Sequence, residues 1–225
     1  MSVFRRMLVS AALALCAGAA LASRSIAPPS LDDETTQTNQ DSGGTHVSMA
    51  IWLPTEMFSQ DAGDLDPALV KQVGEALKGY VIIGIADVNV SASDGHVKPV
   101  DLAAMRASAR LRLGDRAPRP ILQGKDLPPA VGAAADVFKK MMANMIGKFG
   151  DSMEFVVFND ADEHGVSLAD PHGSGTVTLA FDKESFVWRL PLVSVLPLRV
   201  DRATGDTFPG DYEFSPFTGH KLETK

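Results

Sequence analysis

The sequence predicts a mainly β chain: a β-sandwich-like domain with one or two packed helices, followed by a C-terminal, metal-free, ribbon-like β appendage. Three observations lead there. Several apolar stretches alternate or run continuously between Gly, Pro and Asp punctuation, as strands do. Only two stretches carry the three-and-four spacing of a helix, and strands and helices do not alternate in the doubly wound manner. With 225 residues, 45% of them hydrophobic, the chain can bury a core without disulfide staples.

The opening MSVFRRMLVSAALALCAGAALA places Arg5 and Arg6 before an apolar run from Met7 and ends on Ala20-Leu21-Ala22. These are the parts of a secretory signal peptide spanning residues 1–22 and cut before Ser23. The run is Ala-rich and too short to span a bilayer comfortably, so no stable membrane span is expected after cleavage. Lipidation at Cys16 would want a small residue before it, and Leu15 is not small. Removing residues 1–22 takes away the single Cys and two arginines, moving the net charge from −7 to −9 and excluding disulfide and thiol chemistry. A pI near 5.2 disfavours nucleic acid and anionic lipid as partners. A periplasmic or secreted bacterial protein with an envelope or extracellular partner is expected, since secreted eukaryotic chains of this size more often pair cysteines.

Residues 23–46 are rich in Ser, Thr, Asp, Gln, Gly and Pro and read as a flexible linker. The globular domain is expected over 47–198. It opens with HVSMAIWLPTEMF, a short edge strand ended by Pro54. Asp66 caps and Pro67 starts a helix near 67–78, with Leu69, Val70, Val73 and Leu77 in one stripe. YVIIGIADVNV, residues 80–90, is a strand that leaves a core. In ASARLRLGDR, Ala107, Ala109, Leu111 and Leu113 lie on one strand face and Arg110 and Arg112 on the solvated one. A second helix runs near 129–146, where Val131, Ala134, Phe138, Met141, Met142, Met145 and Ile146 recur at helical spacing. Strands follow at 153–158, 175–181 and 185–192, the last two joined in a hairpin by Asp182-Lys183-Glu184.

Between two of these strands lies the richest polar loop, FNDADEHGVSLADPHGSG. Asp160, Asp162 and His164 before Gly165 resemble the opening of a calcium loop, but the twelfth position, which should carry a bidentate carboxylate, is Pro171. Asp160, Asp162, His164, Asp170 and His172, with Glu163, are the candidate ligand-binding or hydrolytic residues, since imidazole with carboxylate suits zinc or acid–base chemistry. An ordinary solvated loop collects the same residue types. The chain has no Gly-x-Ser-x-Gly elbow, phosphate loop, His-Glu-x-x-His or dinucleotide fingerprint, and Ser174 reads as a flexible strand entrance. The methionines of the second helix could take Cu(I), though at that spacing they read as core. No catalytic residue, cofactor or metal is assigned.

The chain closes with DRATGDTFPGDYEFSPFTGHKL. Thr204-Gly205 and Thr218-Gly219 head two copies of one turn, each followed by an apolar anchor. Cysteines at Asp201, Thr204, Ser215 and Thr218 would make this a zinc ribbon; as it stands, tetrahedral zinc is not expected. The aromatic set Phe208, Tyr212, Phe214 and Phe217, with Leu222, should hold the facing turns by burial instead, and the glycines should supply left-handed turn geometry.

With the Trp188-Arg189-Leu190-Pro191-Leu192 strand, the double turn and the preceding MMANMIGKFGDSMEFVVF and GTVTLAF, roughly the last 85 to 120 residues resemble uncharacterised bacterial exported proteins that end in a zinc-ribbon-like double knuckle. The cysteines of such a knuckle are absent here. The resemblance implies the architecture of 199–225 and no activity. The expectation is therefore an exported, non-catalytic binding or structural module of the cell envelope, with a hydrolase or metal-binding protein using loop 159–175 as the alternative.

Overall fold

The computed structural model describes residues 24–60 and 67–225; the expected signal peptide and the Asp66 cap lie outside them. In chain order the elements begin with α1 (Leu31–Thr35), β1 (Thr36–Gln40), β2 (His46–Trp52), α2 (Thr55–Gln60), α3 (Pro67–Leu77), β3 (Tyr80–Val90) and β4 (Val97–Pro99). There follow α4 (Leu102–Ser108), β5 (Arg110–Leu113), β6 (Arg119–Pro120), α5 (Pro129–Ile146), α6 (Lys148–Asp151) and β7 (Glu154–Asn159). The chain ends with β8 (Gly175–Phe181), β9 (Glu184–Leu190), β10 (Arg199–Val200), β11 (Thr207–Phe208) and β12 (Glu223–Thr224). The fold is mixed α+β, dominated by antiparallel sheets, as the sequence predicts.

Strand β3 is apolar on both faces from Tyr80 to Ala86, so that part must be covered twice. Val81, Ile83 and Ile85 point into one core, and Ile82 and Ala86 into another. In its sheet β3 pairs with β2 on one side; on the other, its first half pairs with β7 and its second half with β4. β1 adds an edge to β2. The first core is closed by a second sheet of order β6-β5-β8-β9, which contributes Leu111, Val177, Leu179, Phe186 and Trp188. The second is closed by helices, with Leu77 from α3 and Val131, Ala135 and Phe138 from α5. The result is three layers: helices, five-stranded sheet, four-stranded sheet. Trp52 and Trp188 meet edge to face across the sandwich with ring centroids 6.0 Å apart.

Helix α5 matches the predicted span, with Pro129 at its first position and Gly147, at φ 57°, beyond its last. The β8–β9 hairpin also forms as predicted, with β8 matching its span; β9 starts one residue early, at Glu184, and ends at Leu190 before Pro191, and the turn has Asp182 at φ 46°. Helix α4 was not foreseen. Asp101 accepts from the Ala103 and Ala104 amides at 3.0 and 3.1 Å, so Ala107 and Ser108 close a capped helix and the strand begins only at Arg110. Its register is as read, with Leu111 and Leu113 buried and Arg110 and Arg112 exposed. Nor is β2 an edge strand: β1 covers it, and Ala50 and Trp52 face one core while Met49 and Ile51 face the other.

The predicted flexible linker over 23–46 is corrected by the structure. From Arg24 onward this segment is folded, residues 24–26 against the C-terminal unit and the stretch from Leu31 against the sandwich. Leu31 and Thr35 are buried, and the Trp188 indole N–H donates to the Thr35 carbonyl at 2.9 Å. The Glu34 carboxylate accepts from the Val193 and Ser194 amides at 2.8 and 2.6 Å. Asp41 closes the β1–β2 turn by accepting from Thr45 and His46. A composition poor in large apolar residues orders here because its polar side chains satisfy backbone groups of a core that already exists.

Gly84 in the middle of β3 has a packing reason. A Cβ there would lie 2.9 Å from the Phe155 ring and 3.0 Å from the Met153 methyl. Gly84→Ala is expected to destabilise the chain by about 1–3 kcal/mol through overpacking, measured by urea denaturation. Phe155→Leu in the same chain should recover part of that loss, a non-additivity expected of residues in contact.

Candidate functional site

The loop between β7 and β8 is built around one buried carboxylate. Asp160, only 4% exposed, accepts the Ser167 hydroxyl proton and the main-chain N–H groups of Leu168 and Ala169, the latter two at 3.0 and 2.7 Å. Its own amide donates to the Gly79 carbonyl at 2.8 Å, fixing the loop to the β3 start. Asp162 accepts from the Val166 and His164 amides at 2.9 and 2.8 Å. Those bonds, Val166's foremost, hold its carboxyl below the usual range. Asp170 accepts from the His172 amide at 2.9 Å. The three aspartates among the predicted site residues thus organise backbone.

The two histidines of the loop have different neighbours. His164 is exposed, with Nε2 3.5 Å from Glu163. His172 has Nε2 3.8 Å from Glu56 on α2. Among the described residues no group of three or more His, Cys, Asp or Glu side chains is placed to hold a metal ion, and the Asp160 oxygens are occupied by loop donors. Met142 packs against the helix-side core; the Met141 and Met145 side chains lie outside what is described.

A groove of about 350 Å³ runs beside this loop, walled by Pro54, Glu56, Tyr80, Ala169, Asp170 and Pro171 and floored by Trp52. Its composition, an apolar and aromatic body with a few carboxylates, is that of a binding cleft. Lys78, also on its wall, is held by Glu75 at 2.7 Å. Glu56 and Tyr80 are the residues sequence reasoning missed: neither sits in a motif, and only folding brings Pro54-Thr55-Glu56 and the β3 start against loop 160–171. A second missed cluster is Asp87, 6% exposed, which accepts the Ser48 hydroxyl at 3.0 Å and lies 2.7 Å from His46 Nε2. Ser48 and Asp87 are directly opposite in the β2–β3 register, which no local pattern reveals.

The C-terminal turns face each other. β10 lies between β11 and β12 in a small sheet, and each turn closes on a glycine in the left-handed region, Gly205 at φ 78° and Gly219 at φ 72°. The Thr218 hydroxyl donates to Asp201 Oδ2 at 2.6 Å, and His220 Nδ1 lies 3.2 Å from Asp201 Oδ1. In addition, Asp201 Oδ1 accepts from the Ala203 amide, Thr204 Oγ1 from Asp206, Ser215 Oγ from Phe217 and Thr218, and Thr218 Oγ1 from His220. All four positions that cysteines would occupy in a ribbon therefore carry an oxygen that receives turn amides. The aromatic set only partly holds the unit. Phe208 and Leu222 are buried, and Phe208 stacks on Tyr212 at 6.2 Å, whereas Phe214 and Phe217 are 53% and 46% exposed. Residues 24–26 pair with this unit through Arg24 N–H to Asp206 and Ile26 N–H to Thr207.

No protein-family model matches the chain, and comparison with curated proteins and with solved structures returns no match. Among the described residues no helix is long and apolar enough to cross a membrane.

The Thr218 bond, more than any other contact, lowers the Asp201 carboxyl below its ordinary value of 3.8, while burial pushes the other way. The clasp therefore contributes fully above pH 3.8 and weakens as pH falls through the lower folded value. Asp201→Asn should melt earlier than the parent chain at pH 7 and show a shallower loss of melting temperature on acidification below pH 4. Parallel thermal melts across pH 2.5–7 check both.

Proposed function

We propose that this chain is an exported bacterial protein acting as a non-catalytic binding or structural module of the cell envelope, with the groove beside loop 160–171 as its contact surface. The observation that carries the reading is the employment of the loop carboxylates. Asp160, Asp162 and Asp170 bond backbone amides, which suits them to shaping a surface and leaves the groove wall to Pro54, Tyr80 and Pro171. The export reading rests on the basic, apolar and small-residue pattern of residues 1–22.

A hydrolytic reading has one observation in its favour, the approach of His172 to Glu56 at 3.8 Å, which would have to close to hydrogen-bond distance to pass a proton. Complementation of a deletion strain by variants that keep the parent melting temperature separates the two. Loss with Tyr80→Ala and indifference to His172→Ala supports binding. Loss with His172→Ala and Glu56→Gln, accompanied by turnover of an ester or phosphoester probe, supports catalysis. Full-length chain should fractionate to the periplasm or medium with Ser23 as the new N-terminus, and the chain lacking residues 2–22 should stay in the cytoplasm.

The C-terminal unit is in this reading a zinc-ribbon-like scaffold in which the Asp201–Thr218 bond stands where an ion would. The supporting feature is the set of amide bonds received at positions 201, 204, 215 and 218. The combined variant D201C/T204C/S215C/T218C is expected to bind one zinc per chain and to give a tetrahedral thiolate spectrum with Co(II). The parent chain should give no such spectrum.

A further inference from the structure

We infer that the protein carries a second small-ligand site, on the helix-covered side of the five-stranded sheet and separate from the groove, that takes a compact organic carboxylate with an apolar body. A half-open pocket of about 210 Å³ lies between α5 and β7, bounded on one side by Ile121, Leu122 and Leu127. Its walls are Ile121, Leu122, Leu127, Phe155 and Val157. On α5 the small residues Gly132 and Ala135 face it and keep it open; a Cβ on Gly132 would already touch Leu127 at 3.4 Å. An enclosed apolar cavity of about 150 Å³ suffices for a benzene ring, so this half-open, partly polar pocket has the volume for a single ring or a branched short chain.

The mouth supplies the charge. Glu154, the first residue of β7, receives Lys139 Nζ at 2.6 Å on one oxygen and Arg106 Nη1 at 3.2 Å on the other. The Glu154 side chain is 21% exposed and those of Lys139 and Arg106 are 40% and 36%, so both cations remain open to solvent. An ammonium has three donors and a guanidinium five; the bond to Glu154 engages one on each. Two cations thus share one half-buried carboxylate. The other carboxylate at this mouth, Asp136, is exposed, and solvent screens its charge. A ligand carboxylate approaching from solvent would meet the spare Arg106 fork and Lys139 donors, while its apolar body would occupy the cavity. A neutral or cationic ligand of the same shape gains the burial and lacks the charge-assisted bonds.

The same three ions also tie α4 and α5 to β7, and Glu154 distinguishes a staple from a site. In a staple all three charged residues matter alike. In a carboxylate site Glu154 competes with the ligand for both cations. Isothermal titration of the purified chain with benzoate, benzamide and benzylamine, with a thermal melt of every variant, makes the test. Benzoate is expected to bind saturably at one site, at least tenfold tighter than benzamide or benzylamine. Arg106→Gln and Lys139→Gln should each weaken it at least fivefold, and Ala135→Leu, or Gly132→Ala if the former fails to fold, should fill the cavity and weaken it similarly. Glu154→Gln should lower the melting temperature yet tighten benzoate severalfold. Absence of saturable benzoate binding, equal binding of benzoate and benzylamine, or a Glu154→Gln variant weakened like Arg106→Gln would each overturn the inference. None of these outcomes bears on the groove beside Asp160.

Discussion

A strand with no polar face is the constraint on which the architecture depends. From Tyr80 to Ala86 both alternating sets of β3 side chains are apolar, before Asp87 and Asn89, so a single covering layer would leave one apolar row in water. Each such side chain is stabilised by roughly 1.5–3 kcal/mol when fully buried. The second sheet and the helices are two different answers to that demand. Because β8 and β9 present every second residue, Val177, Leu179, Phe186 and Trp188 among them, they cover one face and leave the other to solvent. The helices cover with single stripes, which is why α3 and α5 are both needed and why a gap persists between α5 and β7.

Two stacked sheets that do not close into a barrel leave four edges, and unpaired edges invite association. Here side chains lace them. On one side the Gln37 amide of β1 donates to the Val187 carbonyl of β9 at 2.7 Å and accepts from its N–H at 3.1 Å, and Asn39 reaches Glu184 at 2.7 Å. On the other, Arg119 of β6 donates to the main-chain carbonyls of Asn159 and Ala161 at 2.8 and 2.9 Å. Gln37 acts as a substitute strand residue, satisfying one donor and one acceptor of the edge it meets. These lacings give the polar N-terminal segment its structural role, since β1 is the edge from which Gln37 and Asn39 extend.

Periodicity made legible whatever local hydrophobic pattern alone determines. The spans of β3, α5, β8 and β9 follow from apolar spacing and from Pro and Gly punctuation, and so does the exposure of Arg110 and Arg112. What stayed hidden depends on partners distant in sequence. Residues 24–45 are poor in large apolar side chains, and their order comes from Trp188, Val187 and Ser194, some 150 positions away. The candidate site divides in the same way. The chain pattern identified loop 159–175 as polar and rich in ligating types, yet a carboxylate that takes two backbone amides and a hydroxyl, as Asp160 does, and one that awaits a ligand are identical as letters. Glu56 and Tyr80 enter the groove only through the packing of α2 and β3, which leaves no mark on either stretch.

The C-terminal unit takes this further, because there the geometry was legible and its cause was not. Paired Thr-Gly turns predict facing knuckles, and the turns do face. Aromatic burial alone does not hold them, since Phe214 and Phe217 remain half exposed. A unit of under thirty residues has too little core to specify itself by burial, so a directional interaction must fix how the turns meet. A metal ion does that by binding four ligands at once. A buried carboxylate can do the same with fewer partners, because each oxygen accepts more than one hydrogen bond and ionised acceptors bind more strongly than neutral ones. Asp201, 1% exposed and bonded to Ala203, Thr218 and His220, spans both turns, whereas Ser215 bonds within its own. The asymmetry follows from charge: one ionised residue is enough to join the turns, and a second, facing it across so short a gap, would repel it.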